Sequence, residues 1–158
     1  MEFKEVLALR HSVRKYKDQP IERAILDEMI DEALLAPSSK NTKSSGFLII
    51  EDKSTLEALS EMREHGSGLI KGAAAAIVVL GDTTKTDLWE DNCAISATYL
   101  LLSATDKGLG GCWVHCADRP RSKEDPSKGS AEDYVREILG VKEQYRILCI
   151  IALGYPDE

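Results

Sequence analysis

Most of the residues that announce a function are scarce in this sequence. It holds three histidines, two tryptophans and two phenylalanines, and aromatic residues make up 6% of it. Bases are outnumbered, 20 against 27 acids, for a formal net charge of -7. That balance argues against general affinity for nucleic acid, which needs a broad basic surface to neutralise phosphates. A small local anion site is still compatible with it. Long apolar runs are missing as well. The longest stretch without a formal charge or a break, Asn92 to Thr105, is shorter than the roughly 20 residues of a membrane span, so it reads as a buried helix. "MEFKEVLALRHS" flanks a short apolar pattern with acids and bases, which is neither a signal nor a transit peptide. The expected location is the cytoplasm. Cys93, Cys112, Cys116 and Cys149 lie in apolar surroundings with no secretory context, and read as buried thiols rather than disulfides. His11, His65 and His115 are too few to nominate a Ser/His/Asp triad.

What is present describes one globular domain over residues 1–158, with 43% hydrophobic and 30% charged residues and length enough to bury a real core. Phe3, Val6, Leu7 and Arg10 fall at i, i+3, i+4 and i+7, a helix carrying Arg10 down its apolar stripe. Snorkelling at the surface is the ordinary account of such an arginine. Leu26, Met29, Ile30, Ala33 and Leu34 mark a second helix, stopped by Pro37. "PSSKNTKSSG" is a loop of turn formers before the strand "FLIIED". Ser54 with Glu57 predicts a capping box for a third helix. "AAAAIVVLG" suits a buried strand, and a helix from about Trp89 to Lys107 is apolar on nearly every side, so it belongs inside the molecule or an interface. "GLGGCWVHC" is a glycine turn into a strand, "AEDYVREILG" a short helix, and "RILCIIALG" the last strand. Helices and strands mix without a strict βαβ rhythm, which makes the class α+β.

Two tempting motifs fail. "GLGGCW" has Trp113 where a dinucleotide fingerprint needs its third glycine, and "GSGLIKG" lacks phosphate-loop order. Cys112 and Cys116 do not make a metal site on a strand. Residues four apart lie about 13 Å from each other there, too far for two thiolates on one zinc.

The richest local chemistry is "LRHSVRKYKDQP". Arg10, Arg14, Lys15 and Lys17 surround His11 and Ser12, with only Asp18 in answer. In extended backbone Arg10, Ser12 and Arg14 face one way, and two guanidiniums with a hydroxyl make a receptor for a phosphate dianion. Alone, the segment reads first as a solvated basic turn pairing with some of the acids. The loop of Pro37, Ser38, Ser39, Asn41 and Lys43 offers an amide with donors and acceptors, suited to a flavin edge or its ribityl hydroxyls.

Read together, these segments resemble the FMN-dependent nitroreductase family. The motifs are R-x-S-x-R at Arg10–Arg14, P-S-S-x-N at Pro37–Asn41, G-L-G-x-x-W at Gly108–Trp113 and L-G-Y-P at Leu153–Pro156. They run in order over essentially the whole chain. The resemblance implies a central, mainly antiparallel sheet surrounded by helices, in a homodimer. It implies that Arg10, Ser12 and Arg14, with His11 nearby, hold the FMN phosphate. It implies that Pro37, Ser38, Ser39 and Asn41 reach the flavin from the other subunit, and that Trp113, Val114, His115 and Cys116 present backbone near N5. NADH or NADPH would then reduce the flavin, which passes hydride to a small acceptor such as a nitroaromatic or quinone. Arg14 and Lys43 are candidates for the cation near N1 and the C2 carbonyl. No side chain is nominated as catalytic. The alternatives are a flavin carrier, store or sensor, and a domain that kept the fold without the ligand.

Three departures from the family pattern stand out. Lys43-Ser44-Ser45 replaces Gln-Pro-Trp, Cys116 stands where some relatives have a glycine facing the ring, and the sequence ends at Glu158, just past G-Y-P. The first implies a looser flavin or a wider pocket. The last, if no tail follows, implies weaker cofactor affinity and a weaker dimer. Neither Leu80–Trp89 nor Asp118–Ser130 is long enough for an elaborate lid, so an open, permissive pocket is expected.

Overall fold

The computed structural model describes residues 1–158. Four strands, β1 (Ser45–Ile50), β2 (Ala75–Asp82), β3 (Gly110–His115) and β4 (Tyr145–Gly154), form one sheet in the order β1-β2-β4-β3, and every pairing is antiparallel. The five helices are α1 (Phe3–Leu9), α2 (Arg23–Ala33), α3 (Lys53–Ser60), α4 (Trp89–Asp106) and α5 (Ala131–Leu139). The α+β class and the expected strands are therefore present, and β1 and β3 are the two sheet edges.

The two central strands are buried on both faces, which is why they read as continuous apolar runs. On β2, Ile77 and Val79 point to a core layer shared with Leu26 and Met29 of α2 and with Cys93, Ala97 and Leu100 of α4. Val78 and Leu80 point to a second layer with Leu56 and Leu59 of α3 and Val135 of α5. The register between β2 and β4 shifts at Val79/Leu80, and Leu148 and Cys149 both fall in the α2/α4 layer as a result. This bulge lets the Leu148 carbonyl accept from both Cys116 and Ala117, at 3.0 and 3.1 Å, and so ends β3.

Three local expectations change. α1 stops at Leu9, and Arg10 turns extended and is exposed, so that arginine does not run down a helix stripe. Of α1 only Val6 is buried. The cap of α3 is Asp52 rather than Ser54: its carboxylate accepts the Thr55 N–H at 3.0 Å and the hydroxyls of Ser54 and Thr55 at 2.6 and 2.7 Å. A carboxylate offers more acceptor sites than a serine hydroxyl, and it wins the position. The long helix α4 is two-sided. Cys93, Ala97, Leu100 and Ala104 are buried, while Ile95 and Tyr99 reach solvent.

At the far end of β4, Glu132 of α5 takes two bonds from Arg146, at 2.7 and 2.9 Å, and one from the Ile147 N–H at 3.0 Å. Burial pushes its carboxyl up, but these bonds and the charges of Arg146 and Arg136 outweigh that, leaving it below the ordinary 4.5. A depressed carboxylate adds stability above its unfolded pKa and loses it as pH falls through the folded value. Glu132→Gln should therefore cost about 1–3 kcal/mol at pH 7, and the gap to wild type should close as the pH falls below 4.5. Denaturant melts at neutral and acid pH measure this; a gap independent of pH would refute it.

Candidate functional site

The R-x-S-x-R segment lies along the free edge of β3. Ser12 makes a parallel bridge with Gly111, and the Val13 N–H donates to the Gly111 carbonyl at 3.0 Å. Further on, the Lys17 N–H donates to Tyr155 at 2.8 Å and the Asp157 N–H to Lys15 at 3.0 Å. Extended backbone buries Val13 and leaves Ser12 and Arg14 exposed on the opposite side.

Two glycines make this docking feasible. A Cβ on Gly110 would lie 2.6 Å from the Val13 Cβ, and one on Gly154 2.7 Å from the Tyr16 ring. The glycines of the G-L-G and L-G-Y motifs are thus seats for the basic segment. Burial raises the Tyr16 phenol far above its usual pKa, and its hydroxyl donates to the Val13 carbonyl at 2.5 Å.

Burial pushes the Cys112 thiol on neighbouring β3 up, and the charge of Arg14 pulls against it. Neither Arg10 nor Arg14 forms an ion pair in the chain. His11 is engaged differently. Its Nδ1 meets the Leu9 carbonyl at 2.9 Å and its Nε2 meets Glu158 at 2.7 Å, and both contacts raise its pKa.

Beyond Gly111 the edge of β3 is open. The Gly111 carbonyl points outward to Val13, so by the alternation of an antiparallel ladder the backbone groups of Trp113 and His115 also point outward. Their side chains stack, with centroids 6.3 Å apart. The Trp113 indole donates to His115 Nδ1 at 3.1 Å, which leaves the neutral ring's proton on Nε2. Burial, with Arg119 and Arg63 nearby, holds the His115 pKa below its usual value. Val114 and Cys116 face the other way, into the α3/α5 core layer, where burial drives the Cys116 thiol up to about 12. That thiol is core, because strand alternation turns it away from Trp113 and His115.

The P-S-S-x-N loop is elsewhere. It precedes β1, at the opposite sheet edge, and three strand spacings separate the edges by roughly 14 Å. Within one chain, Pro37, Ser38, Ser39, Asn41 and Lys43 are not brought to Arg10, Ser12 and Arg14. Lys40, Asn41 and Lys43 have positive φ, at 48°, 56° and 50°, a left-handed conformation costing roughly 1 kcal/mol or more each without glycine. Ser38 Oγ accepts the Lys43 N–H at 3.0 Å. Lys43 Nζ donates to the carbonyls of Leu34 and Ala36, at 3.3 and 3.2 Å, closing the end of α2.

The sequence reading missed Asn92. Its Oδ1 accepts the Ser39 N–H at 3.0 Å, and its Nδ2 lies 3.2, 3.3 and 2.9 Å from the hydroxyls of Ser39, Thr42 and Ser44. Its one signal was a lone amide opening a charge-free helical run.

The chain matches the model of the nitroreductase family over residues 7–83 and 61–155. A solved structure of an FMN-dependent nitroreductase from Clostridium difficile is 40% identical, with a TM-score of 0.90 over 97% of this chain and 87% of that one. A protein of Methanothermobacter thermautotrophicus, provisionally named NADH dehydrogenase/NAD(P)H nitroreductase, is 28% identical over 100% of this chain and 79% of its own. One of the same provisional name from Archaeoglobus fulgidus is 29% identical over 98% of this chain and 85% of its own.

Proposed function

Since this chain belongs to the nitroreductase family, we propose that it is an FMN-dependent NAD(P)H oxidoreductase, a single domain working as a cytoplasmic homodimer. The observation that carries the reading is the edge of β3. At one end, two guanidiniums without ion-pair partners flank a serine hydroxyl. At the other, the backbone of Trp113 and His115 is open. This donor set fits a phosphate followed by a planar ring with hydrogen-bonding edges.

Arg10 and Arg14 neutralise the phosphate and Ser12 donates to it, with His11 beside them. The outward N–H and C=O groups of Trp113 and His115 meet the ring edge, with Val114 and Cys116 between and beside them on the strand. Bound there, FMN supplies hydride transfer through N5 from NADH or NADPH to a small acceptor such as a nitroaromatic or a quinone. Arg14 supplies positive charge toward the electron-rich ring edge. Lys43 belongs to the set through the loop it closes, its ammonium being engaged with α2.

Pro37, Ser38, Ser39 and Asn41 complete the site from a second copy of the chain. Two facts support that arrangement. The loop and the basic segment sit on opposite edges of one sheet. In addition, α1, the end of α2 and the outer side of α4 leave apolar side chains in water: Phe3 is 68% exposed and Leu35 76%, with Leu7, Leu9, Ile95 and Tyr99 among the rest. An exposed set of that kind marks an interaction surface.

The test is to incubate the purified protein with FMN, pass it over a sizing column, and add NADH or NADPH without oxygen. The expected result is a dimer-sized peak with a flavin spectrum that bleaches. A flavin that stays oxidised would favour a store or sensor. No retained flavin would remove the assignment.

A further inference from the structure

We propose that Asn92 is a positioning residue of the cofactor site, holding the Ser38–Ser44 loop in the shape that meets the flavin. The proposal rests on the reading of that loop as part of the site. Asn92 is 2% exposed and stands in the first turn of α4. Its carbonyl oxygen takes one backbone N–H, from Ser39, and its two amide hydrogens are shared among three hydroxyls.

The placement of those contacts is what makes the residue specific. They fall on Ser39, Thr42 and Ser44, and the left-handed residues Lys40, Asn41 and Lys43 lie between them. Non-glycine residues keep that conformation only where the surroundings over-determine it. The side chains of Lys40, Asn41 and Lys43 are exposed, so their own burial does not impose it. Asn92 clamps the chain before, within and after the kinked residues.

The anchor continues down the helix. Ser96 Oγ bonds the Asn92 carbonyl and the Ser45 hydroxyl, both at 3.0 Å, tying the same turn to the start of β1. Near its other end, α4 sets Leu101 against Gly111, where a Cβ would lie 3.1 Å from Leu101. One helix thus touches the loop at one end and the phosphate-side strand at the other.

Chemistry separates the substitutions. Asn92→Ala removes every side-chain contact to the loop. Asn92→Asp keeps an acceptor for the Ser39 N–H, and the three hydroxyls rotate to donate to the carboxylate. Two readouts are needed. Trypsin digestion of the flavin-free protein, followed by mass spectrometry, reports cleavage after Lys40 and Lys43. FMN titration reports the site.

In Asn92→Ala, cleavage at those two lysines should quicken at least tenfold and the FMN Kd should rise at least tenfold. Helical content by circular dichroism should stay unchanged. Asn92→Asp should stay near wild type in both readouts. A folded Asn92→Ala with an FMN Kd within twofold of wild type overturns the proposal, whatever its cleavage. So does an Asn92→Asp protein that behaves like the alanine variant. If wild type binds no FMN, the flavin reading itself has failed, and the cleavage difference alone then shows a structural clamp. Should Asn92→Ala not fold, Thr42→Val combined with Ser44→Ala, which removes two of the three hydroxyls, answers by the same criteria.

Discussion

Replacing Ser12 or Arg14 with alanine is expected to lower FMN affinity by one to two orders of magnitude while the fold stays intact. Both side chains are exposed and belong to neither core layer. Hydrogen bonds to a charged group contribute about 1.5–3 kcal/mol each, which is roughly 10- to 100-fold in Kd at about 1.4 kcal/mol per decade. Arg14→Lys should recover only part of the loss, because an ammonium offers a point charge where guanidinium offers a planar fork. FMN titration beside a thermal melt decides it. A variant that stays fully flavinated, or one that simply unfolds, would remove the phosphate assignment.

The second large effect is expected at Gly110 and Gly154, where alanine should lower stability and flavin retention together. The added Cβ would stand 2.6 Å from Val13 and 2.7 Å from Tyr16, closer than real contacts allow. Overpacking costs about 1–3 kcal/mol, and for a chain of this length that is a fall in Tm of roughly 2–10 °C. The central strands cannot yield, since β4 pairs on both sides. The basic segment can, because it is held by a few backbone bonds to Gly111, Tyr155 and Asp157. It is therefore the part that should lift, taking Ser12 and Arg14 with it. Gly72→Ala, where nothing lies within 4 Å of the new atom, is the control and should melt like wild type. An alanine at Gly154 that loses stability but keeps FMN would show that the segment stays seated.

These two results bear on what the motifs mean. R-x-S-x-R is legible as chemistry because its cations and hydroxyl act locally. The glycines of G-L-G and L-G-Y look like turn residues, yet Gly110 and Gly154 lie on strands β3 and β4. Their role is close approach to side chains some hundred or more positions away in the sequence, and no local pattern carries that information. Lys43 shows the same limit. Its charge suggests a partner for the flavin, whereas its nearest carbonyls are those of Leu34 and Ala36.

Taken by itself, the sequence determined the elements and their class, because periodicity, turn residues and apolar runs depend on neighbours within a turn or a strand. It also determined that Ser12 and Arg14 share a face, since extended backbone alternates. Only the tertiary structure decided that β1 and β3 lie on opposite edges, that α4 has a wet side, and that the Asn92 amide meets the hydroxyls of Ser39, Thr42 and Ser44. The reason is physical. Sheet order and buried hydrogen bonds are settled by contacts between distant segments, where burial and polar satisfaction are decided for the whole core at once.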